Sequence, residues 1–354
     1  MTRRTLLVFS LLAVALSLVL TLVMVLGVDL YLHRRAEQSA GLNRWGYRGP
    51  IVGRKQPGEK RVVMLGGSTV FGYGGPWHEA VPALLERFLN ERTAPGAIRV
   101  INLGFNNEGA FAFLPTLQDF RYLDYDIVCL YEGYNDLPGD EGPNTAVFRH
   151  ESPIFRLTGY FPILPMVLRE KAMALRTGGN IDAAYAAERN EPGAKIVFRP
   201  NAGMRSSATV LEAASAVGHS LGRQLDRVAG NRRAQLPSTN TSGCARPWVA
   251  YCDSVYRAVK YARGEGKRVL VVAQPRAIDL QARVKHDGQQ RELAGMLGRH
   301  FGNDPGIAYV DLRDAVDLSD RNLSFDEMHL GLDGNLVIAK ALVEPVQRAR
   351  SSSP

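Results

Sequence analysis

The chain has 354 residues, 45% of them hydrophobic and 22% charged, enough for one large domain with an insertion or two small ones. Its formal charge is +8. The lysines and arginines are scattered, no block of like charge stands out and no nucleic-acid motif appears, so the balance reads as a basic solvated surface near a membrane and excludes a nucleic-acid partner.

The first element is residues 6–28, almost wholly apolar and free of charge. At 1.5 Å per residue about 23 residues span roughly 34 Å, enough for a bilayer core. The stretch is longer than the apolar region of a cleaved leader and lacks a small-x-small site at its end, which favours an uncleaved anchor. Arg3 and Arg4 precede it, a weak bias towards a cytoplasmic N-terminus. The remainder of the chain is then expected outside the cytoplasm, periplasmic or extracellular. Residues 1–32 are the predicted anchor and 33–60, rich in Gly, Pro and charge, a juxtamembrane linker docking onto the body.

From residue 61 to about 350 the sequence alternates. "RVVML", "AIRVINLG", "DIVCLYEG", "KRVLVVAQ" and "IAYVDL" read as strands, with amphipathic helical patterns between and after them. Short β-rich runs alternating with helices predict a parallel sheet of about five strands, covered on both faces. The alternation breaks at about 137–247, too long for an ordinary connection. This insertion holds an apolar, aromatic stretch with interleaved basic residues and a helical pattern, "SATVLEAASAVGHSLGRQLDRVA". A lid, a membrane-facing cap and extra packing around the core are the readings it allows. Cys244 and Cys252 are close enough in sequence to bridge in an oxidising compartment, and Cys129 in "DIVCLY" reads as a buried thiol.

Ligands of a parallel α/β sheet collect at the carboxyl ends of its strands. Ser68 follows the first strand in "VVMLGGSTVFGYGG", "NLGFNNEGA" follows the second and "EGYND", with Asn135, the third. "SFDEMHLGLDGN", with Asp326 and His329, precedes the last helix. A serine hydroxyl becomes a useful nucleophile only with a base in hydrogen-bond reach. Imidazole serves near neutral pH, and a carboxylate orients the ring. Asp326, three residues from His329, can address one ring nitrogen and leave the other for Ser68. The Ser68 N–H and the Asn135 amide are candidate donors to the oxyanion.

Competing readings attach to the same residues. Ser68 is also a helix N-cap type. A nucleotide-binding P-loop is excluded because no Gly-Lys-Ser/Thr follows the glycines, and Val70 stands where an α/β-hydrolase elbow needs its second glycine. Asp326, Glu327, His329 and Asp333 form an alternative carboxylate–His metal cluster, and Asn135 an ordinary turn residue. His78, His150, His219, His286 and His300 have no partner the sequence names and are expected at the surface.

The four blocks, "LGGSTVFGYG", "NLGFNNEGA", "GYND" and "DEMHL", resemble in order those of the SGNH (GDSL-type) hydrolase superfamily, over roughly residues 61–349 without the insertion. The name-giving Gly-Asp-Ser-Leu is here Gly-Gly-Ser-Thr. In the second block the superfamily's glycine, which supplies an oxyanion N–H, is replaced by Asn107, with Gly104 and Gly109 flanking it, so the second donor is Asn107 or one of those glycines. The resemblance implies a three-layer α/β/α, flavodoxin-like fold. It also implies a serine nucleophile acting on oxygen esters of lipid or acylated-sugar type through an acyl-enzyme, with no cofactor and no metal. Some exported relatives transfer acyl groups to polysaccharides instead. An O-acyltransferase acting on an envelope glycan is therefore the rival at the same site, and a catalytically silent binding module the rival of a different class. Oligomeric state is not legible.

Overall fold

The computed structural model describes residues 3–38, 41–91, 96–131, 133–137, 142–188, 196, 198–229 and 240–351. Parts of the predicted insertion, 138–141, 189–195 and 230–239, lie outside the described residues, as does the side chain of His219. The chain divides into two compact units, one made of residues 1–35 and 152–231 and the other of 36–151 and 232–354.

The larger unit is a five-stranded, all-parallel sheet in the order β2-β1-β3-β4-β5. Its strands are β1 (Lys60–Leu65), β2 (Ile98–Asn102), β3 (Ile127–Tyr131), β4 (Arg268–Ala273) and β5 (Ile307–Asp311). The inner three are apolar on both faces and buried throughout or nearly so, the pattern a sheet covered on both sides requires. α3 (Val81–Glu91) and α11 (Leu332–Ser351) cover one face. There Val62, Met64, Cys129 and Leu270 of the sheet pack in one cluster with Leu84, Leu85 and Leu89 of α3 and Ile338, Leu342 and Val346 of α11. α4 (Phe113–Asp119), α9 (Val249–Gly264) and α10 (Leu280–Phe301) make the opposite layer. Each fully buried aliphatic side chain contributes about 1.5–3 kcal/mol, so these two layers, rather than helix propensity, hold α3 and α11. Pro82 and Pro115 fall in the first turns of α3 and α4, where a missing N–H has no intrahelical partner to lose.

The predicted linker is less loose than its composition implies. Leu42, Asn43, Tyr47 and Arg48 are buried, and Arg48 N–H donates to the Asn102 carbonyl at the end of β2 (3.1 Å). Cys244 and Cys252 are joined as a disulfide. Cys129 is a buried free thiol, pushed up to about 12 by burial.

The smaller unit is helical. α1 (Arg3–Gln38) is long and apolar enough to cross a membrane. α5 (Pro153–Thr158), α6 (Leu164–Thr177), α7 (Ile181–Glu188) and α8 (Ala202–Ala229) come from the insertion. α8 lies along α5 and α6, with Gly218 against Pro165 and Gly222 against Pro153.

Candidate active site

The strand order reverses between β1 and β3, which places a crevice outside their carboxyl ends. Ser68 leaves the end of β1 on the short helix α2 (Ser68–Phe71), which stops at Gly72 in the left-handed conformation, φ 83°. Gly66 is required here because a Cβ would collide with the Tyr131 carbonyl of β3. The turn is held from several sides. Arg48 donates to the carbonyls of Phe71, Gly72 (2.7 Å) and Gly75 (2.5 Å). Asn102, at the end of β2, donates to the Val70 carbonyl (2.9 Å). Gln274, just past β4, donates to the Thr69 hydroxyl (2.7 Å) and accepts from the Tyr134 N–H (3.0 Å). Burial of Arg48 pushes its guanidinium down to about 10. Sequence reasoning missed both Arg48 and Gln274. Their only signal is position: one in a Gly-rich segment read as linker, the other immediately after a strand.

His329 Nε2 lies 2.8 Å from the Ser68 hydroxyl, and its Nδ1 lies 2.6 Å from Asp326 Oδ2. Asp326 Oδ1 accepts the N–H groups of His329 (2.6 Å) and Met328 (3.1 Å). With the carboxylate accepting at Nδ1, that nitrogen carries the proton and Nε2 presents its lone pair to the hydroxyl. Partial burial opposes the Asp326 charge, but hydrogen bonds from the His329 N–H and imidazole outweigh it and hold the carboxyl below the usual carboxylate range. Local chain geometry makes this pair: a Ser324–Leu330 antiparallel bridge closes the loop, Ser324 donates to the His329 carbonyl (3.0 Å), and Glu327 turns it at φ 69°. Tyr73 and Phe325 flank the imidazole, with ring centroids 4.9 and 5.8 Å away. Tyr73, Phe325, Met328 and Leu332 are exposed, giving the site an apolar rim.

Of the four residues in the alternative metal cluster, Asp326 is committed to the His329 loop, and Glu327 turns away to pair with Arg321 (3.0 Å). Among the described residues no group of three or more His, Cys, Asp and Glu is arranged to hold a metal ion.

Asn135 sits on a single turn after β3, Tyr134–Asp136. Its amide carries two hydrogens, and Nδ2 donates to the Glu108 carbonyl (2.9 Å). The three candidates for the second donor differ. Gly104 N–H donates to Asn102 Oδ1 (3.0 Å), and a Cβ there would meet the Phe71 nitrogen at 2.6 Å, so Gly104 serves close packing against the Ser68 turn. Gly109 is tight against Asp136, whose Oδ1 a Cβ would meet at 2.6 Å. Asn107 adopts φ 61°, the left-handed region that glycine occupies freely and asparagine tolerates. That explains why asparagine can stand where the resemblance calls for glycine.

Of the histidines expected at the surface, His286 is inside and His150 is partly buried. His286 is fully buried beside the Gly133–Tyr134 turn, its ring 5.2 Å from that of Tyr134 and a Cβ on Gly133 3.2 Å from its Nε2. Burial pushes it down to about 4. His150 is hydrogen-bonded to Asp119, and His300 Nε2 lies 3.1 Å from the Ser242 carbonyl oxygen. His78 is exposed as expected. The partners of the two inner histidines, Tyr134 beside His286 and Asp119 bonded to His150, come from elements distant in sequence, so no local pattern announces them.

No family model matches the chain, and no curated protein matches it. Solved structures do. One is a protein placed in the G-D-S-L lipolytic family from Desulfitobacterium hafniense, 10% identical over 81% of this chain and 99% of that one, with a TM-score of 0.42. A second is the S15A form of Axe2, an acetylxylan esterase from Geobacillus stearothermophilus, 12% identical over 81% of this chain and 94% of that one, TM-score 0.42. A third is a carbohydrate acetylesterase family member from Sinorhizobium meliloti, 14% identical over 82% and 98%, TM-score 0.36. At these identities and scores the chemistry has to be read from this chain's own residues, and those are a hydroxyl, an imidazole and a carboxylate in hydrogen-bonded series at the mouth of a parallel sheet.

Proposed function

We propose that the protein is a membrane-anchored serine esterase of SGNH type. The observation that carries this reading is the unbroken Ser68–His329–Asp326 series at 2.8 and 2.6 Å. Ser68 Oγ attacks an ester carbonyl while His329 Nε2 takes its proton. The Ser68 and Asn107 backbone N–H groups and the Asn135 amide hold the oxyanion. His329 returns the proton to the departing alcohol, leaving an acyl-enzyme. Water, activated by the same imidazole, then releases the acid. Asp326 keeps the ring in register and offsets the charge it gains.

The exposed aromatic rim of Tyr73 and Phe325 favours a second reading of the same site, in which a sugar hydroxyl rather than water accepts the acyl group. The body at 61–350 faces the extracytoplasmic side in either case. Arg3 and Arg4 before the span and the Cys244–Cys252 disulfide support that side.

The test uses the full chain in detergent with p-nitrophenyl acetate and a fluorophosphonate probe. Wild type is expected to turn over the ester and to be labelled at Ser68. Ser68→Ala is expected to lose both, by roughly 10⁴-fold or more in kcat, with its fold unchanged. Turnover surviving in Ser68→Ala overturns the assignment, and a folded wild type that neither labels nor turns over makes the site a binding module.

A further inference from the structure

We propose that the α5–α6 elbow of the insertion is seated on the lipid surface and fastened there by Asp29, an inference resting on the reading of α1 as a retained anchor. The apolar stretch of α1 points its side chains outward, and the buried residues of the helix are Asp29 and His33, the first just past the stretch and the second one turn further. Both are built into the insertion. Asp29 Oδ1 accepts the N–H groups of Ile163 (3.0 Å) and Leu164 (2.6 Å) at the start of α6. The Tyr160 hydroxyl donates to Asp29 Oδ2. His33 Nε2 lies 2.7 Å from the Phe161 carbonyl oxygen and 3.4 Å from Asp29 Oδ2. A buried carboxylate needs such donors to be tolerated at all, and the N-terminus of a 14-residue helix is a natural place to find them. A disposable leader has no use for this clasp, because its removal would strand the donors of residues 160–164.

The clasp also sets depth. If residues 6–28 fill the hydrocarbon, Asp29 stands at its edge, and residues 160–164 bond to it directly. Leu157 is three residues before Tyr160, at most roughly 10 Å of chain, and Met166 is two helical residues past Leu164, about 3 Å. Ile154, Leu157 and Met166 are exposed, as are Leu30 and Tyr31 on α1. Apolar side chains this close to the end of a span lie within the roughly 5–10 Å depth reached by interfacial segments. Tyr31 and Tyr160 match the aromatic enrichment of that layer. Continuity with the span therefore selects lipid as the occupant of this face.

The test reconstitutes the full chain into vesicles of phosphatidylcholine and phosphatidylglycerol. Leu157→Cys and Met166→Cys are labelled singly with an environment-sensitive fluorophore; Cys129 is buried and Cys244–Cys252 is bridged, so neither competes for the label. Both positions are expected to be quenched several-fold more strongly by a lipid-borne nitroxide than by aqueous iodide. Labels quenched by iodide and not by the nitroxide overturn the proposal. Labels shielded from both mark a second copy as the cover, which overturns it equally. Asp29→Ala is expected to speed amide hydrogen exchange at Ile163 and Leu164 at least tenfold, and unchanged exchange there overturns the clasp. No readout depends on ester hydrolysis, so failure here and failure of the esterase reading are told apart.

Discussion

Ser68 and His329 meet at 2.8 Å from differently built supports. The serine side is closed: Ser68 is 8% exposed, and its turn is bonded to Arg48, Asn102 and Gln274, from three distant parts of the chain. The imidazole side is open. The Asp326 side chain is 39% exposed, and its loop is held largely by bonds among residues 324–331. The nucleophile is thus positioned by the whole fold and the base by a local loop, so substitutions on the two sides should fail differently. Those on the serine side should cost stability as well as rate, and those on the loop rate alone.

The largest effect that sharpens this contrast is expected from Asp326→Asn. The loop keeps its shape, but the amide favours the wrong imidazole tautomer, and kcat is expected to fall about 10⁴-fold with little change in melting temperature. A parallel drop in thermal stability would break the contrast. Next is Arg48→Ala, which strips donors from three carbonyls on the closed side. Chemical denaturation is expected to show a loss of about 3 kcal/mol or more, with kcat falling too. An unchanged midpoint would mean the turn does not depend on Arg48.

His286 supplies a pH test of the same closed side. Its folded value is pushed from 6.5 down to about 4, so between these values the unfolded chain binds more protons than the folded one. Stability therefore rises with pH across this window, and acidification from 6.5 to 4 is expected to remove up to about 3 kcal/mol. His286→Gln should flatten that slope, read as melting temperature against pH. The smallest effect is expected from Phe325→Ala on the open rim. Losing one ring beside His329 should lower kcat/KM by about 3–10-fold and leave the melting temperature within a degree or two.

Much of this site is legible because its signals are local. The Asp326–His329 contact needs only a three-residue spacing on one loop, and Ser68 and Asn135 are recognisable as polar residues just past apolar strands. The insertion's long helix, α8, also follows from its periodicity. Arg48 is not legible, since a Gly- and Pro-rich neighbourhood reads as linker until the chain is seen to fold back under α2. The same holds for Gln274, whose two partners, Thr69 and Tyr134, lie 205 and 140 residues away in sequence. Asp29 and His33 follow the apolar span, and nothing in their own neighbourhood announces residues 160–164 as partners.

By itself the sequence determined the parallel α/β alternation, the apolar N-terminal span and the four short segments that carry the candidate chemistry, because hydrophobic period and turn residues act over a few positions. Tertiary structure decided what those segments meet: the imidazole brought to the hydroxyl across 261 residues, the buried arginine under the serine turn, the histidine sealed behind Tyr134 and the carboxylate clasped by α6. Each of these is a polar group that becomes tolerable or reactive only through partners that distant chain folds against it, and no local pattern encodes which partners those are.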